Sequence, residues 1–206
     1  MPHPGEGRER MSTFLTVVCA EEEKNLPVQL LELLAKLELE VQLVHRQEDV
    51  DPASDLVIVL QAEQYGTAFN SYAQEKGITW LPVQFAHTVA HIGPVIIPGV
   101  TACFDCLLLR SQANGMAPLT PKNVRFELAW ALVSSILATE VTKWVSRSTN
   151  SFVPLSLGHL VEFDAFQLRG DVSPVYKVPT CKTCGVRHEP QLAAQLWRET
   201  ELVVES

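Results

Sequence analysis

Gly93-Pro94-Val95-Ile96-Ile97-Pro98-Gly99-Val100-Thr101-Ala102-Cys103-Phe104-Asp105-Cys106 is the stretch from which the fold is read. It ends in a Cys-x-x-Cys pair, and Cys181-Lys182-Thr183-Cys184-Gly185 supplies a second. A two-residue spacer lets both sulfurs of one turn converge on a single ion, and Zn²⁺ is the usual ion for four thiolates held tetrahedrally. Cys103, Cys106, Cys181 and Cys184 are therefore expected to ligate one structural zinc, with Lys182 and Arg187 offsetting the negative tetrathiolate. A closed four-Cys site leaves no open coordination position, so no catalysis is assigned to it. The competing reading is two separate redox dithiols. A redox pair is expected near the start of a thioredoxin-like βαβ pattern, whereas these pairs fall in loops late in the chain.

Working outward, 206 residues make one domain, or one domain with an appendage. An apolar fraction of 47% with 19% charged residues is ordinary for a globular protein with a sizeable core. The net charge of −8 argues against nucleic acid as a partner, because phosphate backbones demand Lys and Arg. No apolar run approaches the ~18–20 residues of a membrane span. Arg8, Arg10 and Phe14–Ala20 imitate a signal sequence, but the apolar run is short and Thr16 interrupts it, so it reads as a strand. A cytoplasmic location is expected. In a reducing compartment paired knuckles are metal ligands rather than disulfides, and the fifth cysteine, Cys19, reads as a small buried hydrophobe.

In chain order, residues 1–11 read as a disordered tail and 12–206 as a single domain. FLTVVCA over 14–20 predicts a buried strand. Pro27 starts an amphipathic helix carrying Leu30, Leu31, Leu34, Leu37 and Leu39, and Val41–Val44 predicts a second strand. Asp55–Leu60 (DLVIVL) has the continuous apolar character of a parallel strand covered on both faces. A helix over Thr67–Lys76 ended by Gly77, and a strand over Ile78–Phe85, complete a mostly parallel α/β sheet of Rossmann-like type. Thr88–Gly99 reads as a hairpin-like excursion and Cys106–Gln112 as the start of a helix. Phe126–Val145 is the longest helical pattern, apolar round most of its circumference and so buried against the sheet or another subunit. His159–Leu168 predicts a strand, Asp171–Pro179 leads into the second knuckle, and Gln191–Val204 predicts a last helix.

A nucleotide site is tested and not found in the sequence. Glu21-Glu22-Glu23 follows the first strand where a phosphate cradle would need glycines, and three carboxylates there repel a triphosphate. Gln61-Ala62-Glu63-Gln64 after DLVIVL also lacks glycine. His87 and His91 are spaced for one face of a strand, as a metal pair or a binding pair, but read more readily as solvated loop histidines. His159 and His188 read as surface residues, Ser134 and Ser135 as smothered inside a helix, and Trp130 and Trp144 as core or interface. No nucleophile or general-base arrangement emerges, and the catalytic set is expected to be empty.

The run DLVIVL, helix, Thr79-Trp80-Leu81-Pro82-Val83, then Ile92-Gly93-Pro94-Val95-Ile96-Ile97-Pro98-Gly99 leading to the first knuckle, with Pro179-x-Cys-x-x-Cys-Gly later, resembles the E1-like (ThiF-related) proteins of azol(in)e-containing ribosomal peptide biosynthesis, the ocin-ThiF-like or cyclodehydratase C-type proteins. The resemblance covers 55–185, with a weaker echo over 14–44. It implies an E1-type Rossmann-like fold, a structural zinc on the four cysteines, and a non-adenylating role. Such proteins bind the leader of a precursor peptide and present its core to a YcaO protein, which uses ATP to cyclise Cys, Ser or Thr. They commonly begin with a winged-helix-like leader-recognition domain. The residues before the first strand are too few for one, so a short form is expected, with a separate recognition protein or partner enzyme binding the leader. A homodimer or hetero-oligomer is implied, with the long helix as an interface. The alternatives are an active ATP-dependent adenylating enzyme of the same class and a Cys-x-x-Cys thiol-redox protein.

Overall fold

Leu56–Leu60 forms strand β3, and all five of its side chains are buried. Leu56, Ile58 and Leu60 enter one hydrophobic cluster, whereas Val57 and Val59 enter another. A strand apolar at every position must be covered on both faces, and the two clusters are the two covered faces. Each such side chain contributes about 1.5–3 kcal/mol by leaving water. The computed structural model describes residues 13–23, 25–86, 88–116, 127–147 and 152–185.

Seven strands lie in the order β2-β1-β3-β4-β5-β6-β7. The first four are parallel: β2 (Glu40–Val44), β1 (Phe14–Val18), β3 and β4 (Trp80–Ala86). Helix α1 (Val28–Lys36) carries the chain from β1 to β2, and α2 (Ala62–Lys76) from β3 to β4. This is the Rossmann-like α/β arrangement expected from the sequence. Three further strands extend it in antiparallel fashion: β5 (Val89–Ile92), β6 (His159–Asp164) and β7 (Arg169–Pro174). The stretch expected as a hairpin-like excursion, Thr88–Gly99, supplies β5, which pairs back on β4, after which the chain returns to the sheet through paired backbone bonds between Trp80 and Ile96.

One face of the sheet is covered by α1 and by α4 (Glu127–Val145). Leu30 and Leu34 meet Trp130, Val133, Leu137 and Val141 there. The long apolar helix is therefore seated on the sheet. Trp130 and Trp144 are core residues, and their indole N–H groups donate to the Leu26 and Asp55 carbonyls at 2.6 and 3.3 Å. The other face carries α2 and α3 (Phe104–Ala113), with Phe69, Trp80 and Phe104 packed ring on ring. Gly66 of α2 is required there, because a Cβ at that position would meet the Phe104 ring at 2.5 Å.

Three boundaries differ from the sequence reading, each for a tertiary reason. Helix α2 begins at Ala62 rather than Thr67. Its first turn is capped from β4, where Gln84 Oε1 accepts the Glu63 N–H at 2.8 Å. Gln61, in the left-handed region at φ 53°, accepts the Phe85 N–H through its own Oε1 at 3.2 Å. Strand β6 stops at Asp164 rather than Leu168. The Asp164 carboxylate accepts the N–H groups of Phe166 and Gln167 at 2.9 and 3.0 Å and reverses the chain. Strand β7 then occupies residues read as a lead-in to the second knuckle. All six of its residues are exposed, so no apolar alternation marks it. The tail 1–11, His87, His188 and the helix expected over 191–204 lie outside the described residues.

A four-thiol candidate metal centre and the adjoining cleft

The four predicted cysteines come together. Their sulfurs all lie within 4.8 Å of one another. Cys103–Cys106, Cys103–Cys181 and Cys106–Cys184 are 3.8, 3.6 and 3.3 Å apart, Sγ to Sγ. Four sulfurs ~2.3 Å from a central ion at the corners of a tetrahedron have edges of about 3.8 Å. The observed set is close to that size, and the contacts across the knuckles are as short as those within them. The thiols form one cluster rather than two separate dithiols, and all five cysteines of the chain are free thiols.

Local chemistry builds each half. Cys103 caps the N-terminus of α3 and Cys106 sits in its first turn, where the helix dipole favours negative charge on sulfur. The second knuckle is a tight turn closed by the Cys181 N–H on the Val178 carbonyl and the Gly185 N–H on the Cys181 carbonyl, at 2.9 and 2.8 Å. Gly185 is obligatory, since a Cβ would sit 2.3 Å from the Cys181 oxygen. The halves are tied outside the sulfurs as well. The Thr183 hydroxyl donates to Asp105. Arg110 donates to the carbonyls of Tyr176 and Lys177 at 2.6 and 3.1 Å. The Val178 N–H points at Cys106 Sγ, 3.3 Å away.

Three of the four thiols are buried, and Cys184 is half-buried. Burial is the main reason that Cys106 is pushed up to about 11 and Cys103 higher still. Burial acts on Cys181 too, but the N–H groups of Cys184 and Thr183 and the thiols of Cys103 and Cys106 together bring it below the ordinary value. Cys19 stands apart at 1% exposure, pushed up to about 12 by burial and then by Glu23, as suits an inert core thiol.

Other residues singled out from the sequence are dispersed. The Glu21–Glu23 run forms a 3-10 turn at the carboxyl end of β1. That end of the sheet, between β1 and β3, is where a doubly wound fold binds nucleotides. Here His45 Nδ1 bonds the Cys19 carbonyl at 2.9 Å, and the remaining hollow is about 240 Å³. Ser134 is buried as expected. Ser135, expected to be smothered, instead faces solvent and donates to the Ala131 carbonyl at 3.0 Å. His159 is half-buried, its Nδ1 on the Leu157 carbonyl at 2.9 Å.

His91 is the residue that sequence reasoning undervalued. It lies on β5, half-buried, with Nε2 2.7 Å from Glu162 Oε2. Register places Gln84 opposite His91 and His91 opposite Glu162, so a polar row crosses β4, β5 and β6. Gln84 and His91 line a cleft of about 530 Å³ between the sheet, the first turn of α2 and the exposed side of α3. The identity of His91 carried no signal of this, because its neighbours come from β4 and β6.

No protein-family model and no curated protein sequence matches the chain. Solved structures do. A heterocyclase in complex with substrate and cofactor is similar over 84% of this chain and 26% of its own, with a TM-score of 0.64 and 22% identity. The heterocyclase TruD is similar over 84% of this chain and 28% of its own, at 0.66 and 21%. MccB of E. coli, crystallised with ATP, is similar over 84% of this chain and 58% of its own, at 0.56 and 18%. The likeness shows the fold, a mixed α/β sheet, on which this chain sets its four-cysteine cluster. The chain spans about a quarter of the length of the two heterocyclases and somewhat over half of MccB. No helix among the described residues is long and apolar enough to cross a membrane.

Proposed function

We propose that this chain is a non-adenylating, zinc-bearing E1-like scaffold that assists a YcaO-type cyclodehydratase in forming azolines or azoles on a ribosomal precursor peptide. The observation that carries the reading is the four-sulfur cluster of Cys103, Cys106, Cys181 and Cys184, set on a sheet of the shape found in two heterocyclases. The four thiolates would hold Zn²⁺ and tie the chain leaving β7 to the start of α3. Bound there, the ion supplies structural cross-linking and no reaction chemistry. A carboxylate-rich turn at the end of β1, in place of a glycine loop, supports the loss of adenylation.

In this reading 12–206 is one E1-like domain acting in the cytoplasm. It works as a homodimer or hetero-oligomer and presents the precursor or activates the enzyme, with a separate recognition protein holding the leader. The test is reconstitution. Purified protein should contain one tightly held zinc, show no ATP–pyrophosphate exchange alone, and raise ring formation by a co-expressed YcaO enzyme, seen as loss of one water mass per ring. A YcaO enzyme equally active without this chain would sink the reading. Robust pyrophosphate exchange would favour the second reading, an adenylating enzyme, for which the likeness to MccB with ATP is the specific support.

A further inference from the structure

The cleft beside the thiol cluster has two unlike surfaces. Its floor is the polar row of the sheet, Gln84 and His91, continued by Glu162. Its far wall is α3, where Leu107 and Leu108 form the apolar part beside Ser111 and Gln112. Glu63, in the first turn of α2, closes one rim. The capacity of about 530 Å³ lies within the range of sites that enclose a ligand.

Among the described residues that line the cleft, Glu63 is the carboxylate. Glu162, next along the row, adds a second carboxylate, whose Oε2 lies 2.7 Å from His91 Nε2. The Gln84 amide oxygen already accepts the Glu63 N–H, which fixes the floor against the α2 rim. A ligand that fills this space buries an apolar group against α3 and places a cationic donor near the carboxylates. A carboxylate or phosphate in the same position would meet like charge.

We infer that the cleft between α2, α3 and the Gln84–His91–Glu162 row is a binding site for an extended peptide segment that pairs a bulky aliphatic side chain with a lysine or arginine. The site deepens the scaffold reading, on which the peptide nature of its ligand rests, by naming where such a segment lies. It also gives the thiol cluster a second consequence. Phe104, between Cys103 and Cys106, and Leu107, one residue beyond, belong to the same helical turns, so the knuckle that holds the thiols sets the position of the cleft's apolar wall.

The experiment is an NMR titration of the isotope-labelled full chain with three probes: N-acetyl-Leu-Lys-amide, N-acetyl-Leu-Glu-amide and N-acetyl-Gly-Lys-amide. The Leu-Lys probe should shift the signals of Gln84, His91 and Leu107, and bind on the order of tenfold more tightly than either other probe, a difference of ~1.4 kcal/mol. Ser111→Trp, which fills the mouth from α3, should abolish the shifts. Glu63→Lys should reverse the preference toward the Leu-Glu probe. Shifts that are absent, scattered over the surface, or equal for the Lys and Glu probes would overturn the assignment. Because the measurement uses this chain alone, its failure leaves the partner-dependent ring formation untouched. Failure of that assay in turn leaves the probe preference standing and removes only the precursor as its source.

Discussion

Asn70 Oδ1 accepts the backbone N–H of Phe104 at 3.2 Å, which joins the middle of α2 to the first turn of α3. Asn70 is completely buried, and its Nδ2 has no hydrogen-bond partner among the described residues. Burial raises the Cys103 thiol, and the nearby Asn70 amide works against that rise. One buried amide thus fixes the start of the helix that carries the first knuckle.

A residue that orients a metal ligand in this way typically alters affinity by 10–100-fold when removed. Asn70→Asp keeps an acceptor for Phe104 but sets a carboxylate beside the thiolate. Asn70→Leu removes both functions. Both variants should release zinc to a competing chelator about tenfold faster or more, and the Co²⁺-loaded forms should shift their sulfur-to-metal absorption. Folded variants with unchanged release rates and spectra would show that Asn70 serves packing alone.

The α2 cap supplied by Gln84 makes a separate prediction. Gln84→Ala strips the acceptor from the Glu63 N–H and should cost about 1 kcal/mol, as loss of a helix cap does. Amide exchange should accelerate over the first turn of α2 and not near Gly77. Uniform protection along α2 in the variant would contradict this.

Glu140 gives the pH dependence. It is 3% exposed within α4, and its Oε2 accepts both the N–H and the hydroxyl of Ser156 at 2.8 Å, while Oε1 meets Lys143 at 2.8 Å. Burial would raise its pKa, but Lys143 and the Ser156 donors outweigh it and hold the carboxyl below the ordinary 4.5. A group depressed in the folded state stabilises fully above its unfolded value and loses that contribution as pH falls through its folded one. Wild type should therefore lose stability below pH 4.5, and Glu140→Gln should show a lower Tm at pH 7 with a shallower decline on acidification. Parallel Tm profiles for the two proteins would rule Glu140 out as the source.

Much of the parallel half of the fold was legible because it is written in local pattern. The run Leu56–Leu60 is apolar at every position, the character of a parallel strand covered on both faces, and the structure covers both. The long apolar helix, expected to bury itself against the sheet or another subunit, lies on the sheet. The thiol cluster was legible for another reason: Cys-x-x-Cys spacing is a local geometric requirement, and two such spacings leave little else for four thiols to do.

Tertiary structure decided what depends on residues distant in sequence. Helix α2 starts early because Gln84, on the next strand, caps it. Strand β7 exists because β6 offers it an edge, although its own six exposed residues carry no pattern. His91 reads from sequence as a solvated histidine, and only the register of β4, β5 and β6 sets it between Gln84 and Glu162 in a cleft. Sequence by itself determined the elements that bury a patterned apolar face and which sulfurs can meet, since those follow from period and spacing. Cross-strand register and helix packing determined how short the sulfur contacts are, what stands behind them, and where a ligand fits, since those are sums over neighbours that no single segment contains.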